Sequence, residues 1–133
     1  FTGPKQLLID VTNRCNLDCV YCWIHSPIIR NEMYQNPYYK KAKEIDPNTF
    51  KRLVNDAHTI GVDEIVFVGD GEPTIHSRFF ELLHHLKQYG LNSRMYTNGL
   101  LFEKYYKQLA QSGMKNIEIT ISAANQKTYQ ELI

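Results

Sequence analysis

An α/β fold built on parallel strands is predicted for this 133-residue chain by three observations. Short apolar runs alternate with amphipathic helical patterns, and the alternation repeats four times. Gly61, Gly90 and Gly113 stand just after the first three helical patterns, where a left-handed residue closes a helix. Residues able to do chemistry follow the strands rather than the helices. Parallel strands joined by right-handed helical crossovers produce this order and gather reactive loops at one rim.

Lys5 to Thr12 hold Leu7, Leu8, Ile9 and Val11 between Pro4 and Asn13, a run too short for a helix and read as a buried strand. All three cysteines follow it, Cys15, Cys19 and Cys22, spaced C-x3-C-x2-C. Trp23 to Ile45 is rich in tyrosine, proline and lysine and has no clean periodicity. A connection of this length is either an insertion packed over the edge of the fold or a lid or partner surface. Asp46 caps and Pro47 opens a helix with Phe50, Leu53, Val54, Ala57 and Ile60 on one face. Glu64 to Val68 is a second buried strand, followed by the loop Gly69-Asp70-Gly71-Glu72-Pro73-Thr74.

Ser77 is the expected cap of a second helix carrying Phe79, Leu82, Leu83 and Leu86. Arg94 to Thr97 forms a third strand running into Asn98-Gly99, and the helix after it turns Phe102, Tyr105, Tyr106 and Leu109 inward. Asn116 to Ser122 alternates, with Ile117, Ile119 and Ile121 on one face, and reads as a fourth strand. Asn125 then caps a helix that runs to Ile133. Four units do not close a barrel, and this last helix has too few turns to cover its strand. A chain truncated after its fourth unit is expected.

The composition, 43% hydrophobic, suits one ordinary domain over residues 1–133. No apolar run approaches the roughly 20 residues that cross a bilayer, so no membrane partner is expected. A net charge of +1 argues against a general nucleic-acid-binding surface. Clustered cysteines without a secretion signal point to a reducing cytoplasm.

An odd cysteine count within eight residues is a poor disulfide framework. Three thiolates on one loop can converge on zinc, for which His25 is the nearby fourth ligand, or on an iron–sulfur cluster. The first reading gives a zinc-binding interaction module without catalysis. In the second, a four-iron cluster held by three cysteines keeps one iron open, which points to chemistry. Gly71 lets a ligand approach the backbone, Glu72 offers an anionic acceptor, and Pro73 restrains the turn. Thr97, Asn98 and Ser122 bring hydroxyl and amide groups to the same rim. The basic stretch Lys40, Lys41 and Lys43 is solvated, or else receives an acidic electron donor.

The cysteine spacing, with Tyr21 just before the third cysteine and Val11-Thr12-Asn13-Arg14 ahead of the first, resembles the radical S-adenosylmethionine (radical SAM) superfamily. Gly71-Glu72-Pro73 is similar to its Gly-Gly-Glu-Pro motif, with Asp70 in place of the first glycine. The resemblance implies a partial (β/α)6 TIM-like barrel, of which about four βα units are present. It also implies a [4Fe-4S] cluster on Cys15, Cys19 and Cys22, with S-adenosyl-L-methionine (SAM) chelating the fourth iron. Tyr21, Gly71, Glu72, Pro73, Thr97, Asn98 and Ser122 are then the expected SAM-binding residues. The implied activity is reductive cleavage of SAM to a 5′-deoxyadenosyl radical that abstracts hydrogen from substrate. A peptide, a protein or a biosynthetic small molecule is the expected substrate, and flavodoxin or ferredoxin the expected one-electron donor.

Overall fold

The computed structural model describes residues 3–133, so the first two residues of the expected domain lie outside the described residues. Four parallel strands stand in chain order: β1 (Gln6–Ile9), β2 (Glu64–Phe67), β3 (Asn92–Thr97) and β4 (Asn116–Ile119). The helices are α1 (Arg30–Met33), α2 (Pro47–Thr59), α3 (Phe79–Tyr89), α4 (Phe102–Ser112) and α5 (Gln126–Leu132). This is the α/β arrangement predicted, four strand–helix units of a (β/α) barrel.

Side chains alternate across the sheet, which gives its two faces different chemistry. Ile9, Phe67, Met95 and Ile117 stand in register on the face that packs against the helices. There Phe67 lies between Phe50 of α2 and Phe79 of α3, with ring centroids 5.9 and 5.3 Å away. Each such side chain contributes about 1.5–3 kcal/mol by burial. The other face, turned inward in a barrel, carries Leu8, Val66, Arg94 and Glu118. Arg94 lies within 3.5 Å of Glu64 and 2.6 Å of Glu118.

The caps of α2 and α5 are as predicted: Asp46 accepts the Thr49 N–H at 3.0 Å, and Asn125 accepts the Thr128 N–H at 2.9 Å. Gly90 ends α3 at φ +68°, a conformation open to glycine at no steric cost.

Five expectations need correction. β1 is buried on one face only: Leu8 is 63% exposed, because it points away from the helices. Ile60, assigned to the buried face of α2, is its exposed C-cap. Ser77 does not cap α3; its hydroxyl and N–H both bond Glu44, and Arg78 takes the cap position without a side-chain bond. On α4 only Tyr105 and Leu109 turn inward, while Phe102 and Tyr106 are exposed, because α3 borders one flank alone. β4 stops at Ile119 rather than Ser122. One more ladder bond follows, from the Thr120 N–H to Thr97, and the chain then bends so that Ser122 meets Tyr21. Ile119 and Ile121 are consequently exposed.

The long connection holds only the single turn α1 and is fastened at its far end. The Asn13 side chain donates to the carbonyls of Tyr38 (2.8 Å) and Lys41 (3.0 Å) and accepts the Lys43 N–H (2.7 Å). The Ile45 N–H bonds Val11, and Thr12 pairs with Glu44. Among the described residues, no helix is long and apolar enough to cross a membrane.

Candidate functional site

The loops after β1, β2 and β3 meet at the C-terminal rim of the sheet. The cysteine loop closes on itself through a Cys22 N–H bond to Cys19 O of 2.9 Å. Beyond that turn, the N–H groups of Ile24 (3.4 Å) and His25 (3.2 Å) point at Cys22 Sγ. Ser26, fully buried, donates to Val20 O at 2.8 Å, and Arg30 pairs with Asp18 across the outside of the loop. The Val20 N–H reaches Leu132 O, so α5 borders the same loop.

Gly71 joins the second loop to the first by contact. A Cβ there would lie 2.2 Å from the carbonyl oxygens of both Thr12 and Arg14. The next residue fixes the seam, with the Glu72 N–H donating to Arg14 O at 2.8 Å. The close approach expected of a ligand is thus made by the protein's own backbone.

Glu72 is buried and meets four donors. Its Oε1 accepts the Thr74 N–H (3.2 Å) and the hydroxyls of Thr74 (2.6 Å) and Thr97 (2.7 Å). Its Oε2 accepts the Asn98 N–H at 2.8 Å. The Asn98 side chain crosses back to the first loop, donating to Asn16 Oδ1 at 2.8 Å and lying 3.9 Å from Cys15 Sγ. Three loops are therefore bonded to one another through Glu72 and Asn98.

A cavity of about 320 Å³ opens where they meet. Of the residues expected to bind SAM or a cluster, Cys15, Cys19, Cys22, Tyr21, Gly71, Glu72, Thr97 and Asn98 border it. Pro73 does not; it is buried behind Glu72 at the start of a single 3-10 turn, Pro73–Ile75. Ser122 does not either, but its hydroxyl bonds the Tyr21 hydroxyl beside the cavity. The sequence reading missed Trp23, Val68 and Tyr96 on the same wall. Strand alternation places Val68 and Tyr96 on the face away from the helices, a signal that could have found them.

The donor set fits an iron–sulfur cluster. All three thiols are free and half-buried, and they border a cavity. Burial pushes the Cys15 thiol up, against the Leu17 N–H bond, and the charges of Glu72, Cys19 and Cys22 push it further. A cationic metal centre is what offsets such crowding of thiolates. Zinc fits poorly, because the fourth ligand expected of His25 is not offered. His25 is committed elsewhere: its Nε2 bonds Asp70 O at 2.9 Å, and its Nδ1 faces the Tyr34 hydroxyl at 3.5 Å. The module built on zinc finds no support here.

Asp70, in the place of a glycine, accepts the Tyr39 hydroxyl at 2.7 Å. Asp10 at the end of β1 lies behind it, near the Tyr38 hydroxyl at 3.5 Å. Burial, and secondly the charge of Asp70, raise the Asp10 carboxyl above the ordinary carboxylate range. Burial and Asp70 likewise raise Tyr39, which remains a proton donor.

A profile of the radical SAM superfamily matches residues 9–133. A GTP 3′,8-cyclase of Clostridium botulinum (strain Hall) is 30% identical over 132 residues, 96% of this chain and 38% of the relative. The PqqA peptide cyclase of Bradyrhizobium diazoefficiens is 28% identical over 127 residues, 95% of this chain and 30% of the relative. Among solved structures, Streptococcus suis SuiB bound to precursor peptide SuiA superposes with a TM-score of 0.77 at 20% identity. That match takes in 99% of this chain and 27% of SuiB. The chain thus spans well under half the length of these relatives.

Proposed function

We propose that this chain, which belongs to the radical SAM superfamily, is the core domain of an enzyme that cleaves SAM reductively. Cys15, Cys19 and Cys22 would hold a [4Fe-4S] cluster, which would supply the one-electron reduction that SAM cleavage and hydrogen abstraction from substrate require. The observation that carries this reading is the single cavity bordered by all three thiols together with Gly71, Glu72, Thr97 and Asn98.

The chain's own residues bind and orient. Glu72 Oε1 is saturated by three donors, whereas Oε2 has one and keeps a lone pair for the ammonium group of SAM. Thr97 acts by aiming Glu72. Gly71 seats the second loop against the first, and Pro73 starts the turn that carries Thr74 back to the carboxylate. Asn98 steadies the cysteine loop through Asn16. Tyr21, held by Ser122, borders the place for adenine or ribose, and Trp23, Val68 and Tyr96 wall the cavity against water.

The substrate is a peptide or protein, as the name PqqA peptide cyclase states for that relative, or a biosynthetic small molecule, as GTP 3′,8-cyclase states for another. The electron comes from a donor protein such as flavodoxin or ferredoxin. Three free thiols suit the reducing cytoplasm. The test is anaerobic reconstitution of the full-length protein, followed by reduction with dithionite and assay for 5′-deoxyadenosine. Iron, sulfide and 5′-deoxyadenosine are expected together, each lost on Cys→Ser replacement. A colourless protein that holds zinc and leaves SAM intact would sink the reading.

A further inference from the structure

We propose that the basic face between the cysteine loop and the Lys40–Lys43 stretch docks an acidic one-electron donor protein, whose electron enters at Cys15 from the side opposite the cofactor cavity. The proposal rests on the function proposed above and adds where the donor binds.

A second cavity, of about 480 Å³, lies along this face, bordered among others by Arg14, Cys15, His25, Arg30, Lys40 and Lys41. Cys15 and His25 border the cofactor cavity as well, so the cysteine loop is the partition between the two. A partner seated on the outer side approaches a cluster ligand without displacing SAM or substrate. Five basic side chains against three acidic ones lie between Arg14 and Glu44, whereas the whole chain carries only +1. Arg14 and Arg30 are paired with Glu44 and Asp18. Lys40 and Lys41 are exposed and form no ion pair among the described residues. The frame beneath them is fastened: Asn13 bonds Lys41 O, and the Tyr39 hydroxyl bonds Asp70.

Exposed lysines around an open mouth suit steering of a charged protein surface. A small anion would be better held by a forked, buried arginine pair. The electron balance is simple: the donor loses one electron, the cluster gains it, and no proton moves.

The test compares two reductants on the full-length reconstituted enzyme, reduced flavodoxin or ferredoxin against dithionite. The variants are K40E/K41E, and K115E as a single charge-reversal control remote from the loop. The expected result for K40E/K41E is a fall of about tenfold or more in donor-driven 5′-deoxyadenosine formation, with weaker salt dependence. Its iron content and dithionite-driven rate should equal those of the wild type, and K115E should behave as wild type. Unchanged donor kinetics overturn the proposal, as does an equal fall with both reductants. A raised KM for substrate with intact donor kinetics reassigns the face to an anionic substrate. If the wild type itself makes no 5′-deoxyadenosine with dithionite, the proposed function has failed and the docking reading falls with it.

Discussion

Glu72 has two tasks, and one substitution touches both. Glu72→Gln replaces an acceptor with an amide donor opposite at least one protein donor, leaving buried groups unpaired. A loss of about 1–3 kcal/mol is expected before any ligand is added, measured by denaturant unfolding of the apo protein. Weaker SAM binding should accompany it. No change in stability would show that the four bonds do not hold the rim together. Gly71→Ala acts differently, since its methyl would sit 2.2 Å from two carbonyl oxygens of the cysteine loop. It should reduce iron incorporation as well as SAM affinity, and iron analysis of the reconstituted variant decides. A variant with full iron content and only weaker SAM binding would place the ligand, not the loop, beside Gly71. Cysteine-to-serine replacement at 15, 19 or 22 should abolish or severely weaken cluster assembly, because a hard oxygen replaces a soft thiolate.

Helices and loops differ in what secures them. α3 buries Phe79, Leu82, Leu83 and Leu86 against the sheet, so Leu82→Ala should cost about 2–5 kcal/mol. The segment before α2 has little such burial and depends on Asn13, which bonds its backbone three times. Asn13→Ala is expected to speed amide hydrogen exchange from Tyr38 to Lys43 while leaving α3 protected. Uniform loss of protection would mean that the segment and the core open as one unit.

Across the whole molecule, pH and the sheet edge set the behaviour. Asp10 binds its proton more tightly folded than unfolded, by burial and then by Asp70. The unfolded chain therefore ionises first, and stability declines as pH rises from the ordinary carboxylate pKa through the raised folded value. Asp10→Asn should flatten that decline above the ordinary carboxylate pKa, read from melting temperatures of the two proteins. β4 is an unpaired edge of the sheet, and Ile119 at its end and Ile121 just after it are exposed to solvent. The isolated 133-residue chain should associate through it, and light scattering that reports a clean monomer would count against this.

Periodicity and breakers determined the strand–helix order, since which residues share a face follows from backbone geometry alone. The cysteine spacing and Gly71-Glu72-Pro73 located the rim, because ligand chemistry and tight turns restrict residue type. The burial of Leu8, Phe102 and Tyr106 was not legible, because it depends on which neighbours cover each face. The same limit applied to Ser77, whose hydroxyl was taken by Glu44, 33 residues away in sequence. Only the tertiary structure decided that Gly71 packs on Thr12 and Arg14, and that Asp70 bonds Tyr39. Residue type shows what a side chain can bond, but the partner it meets is fixed by how distant loops fold together.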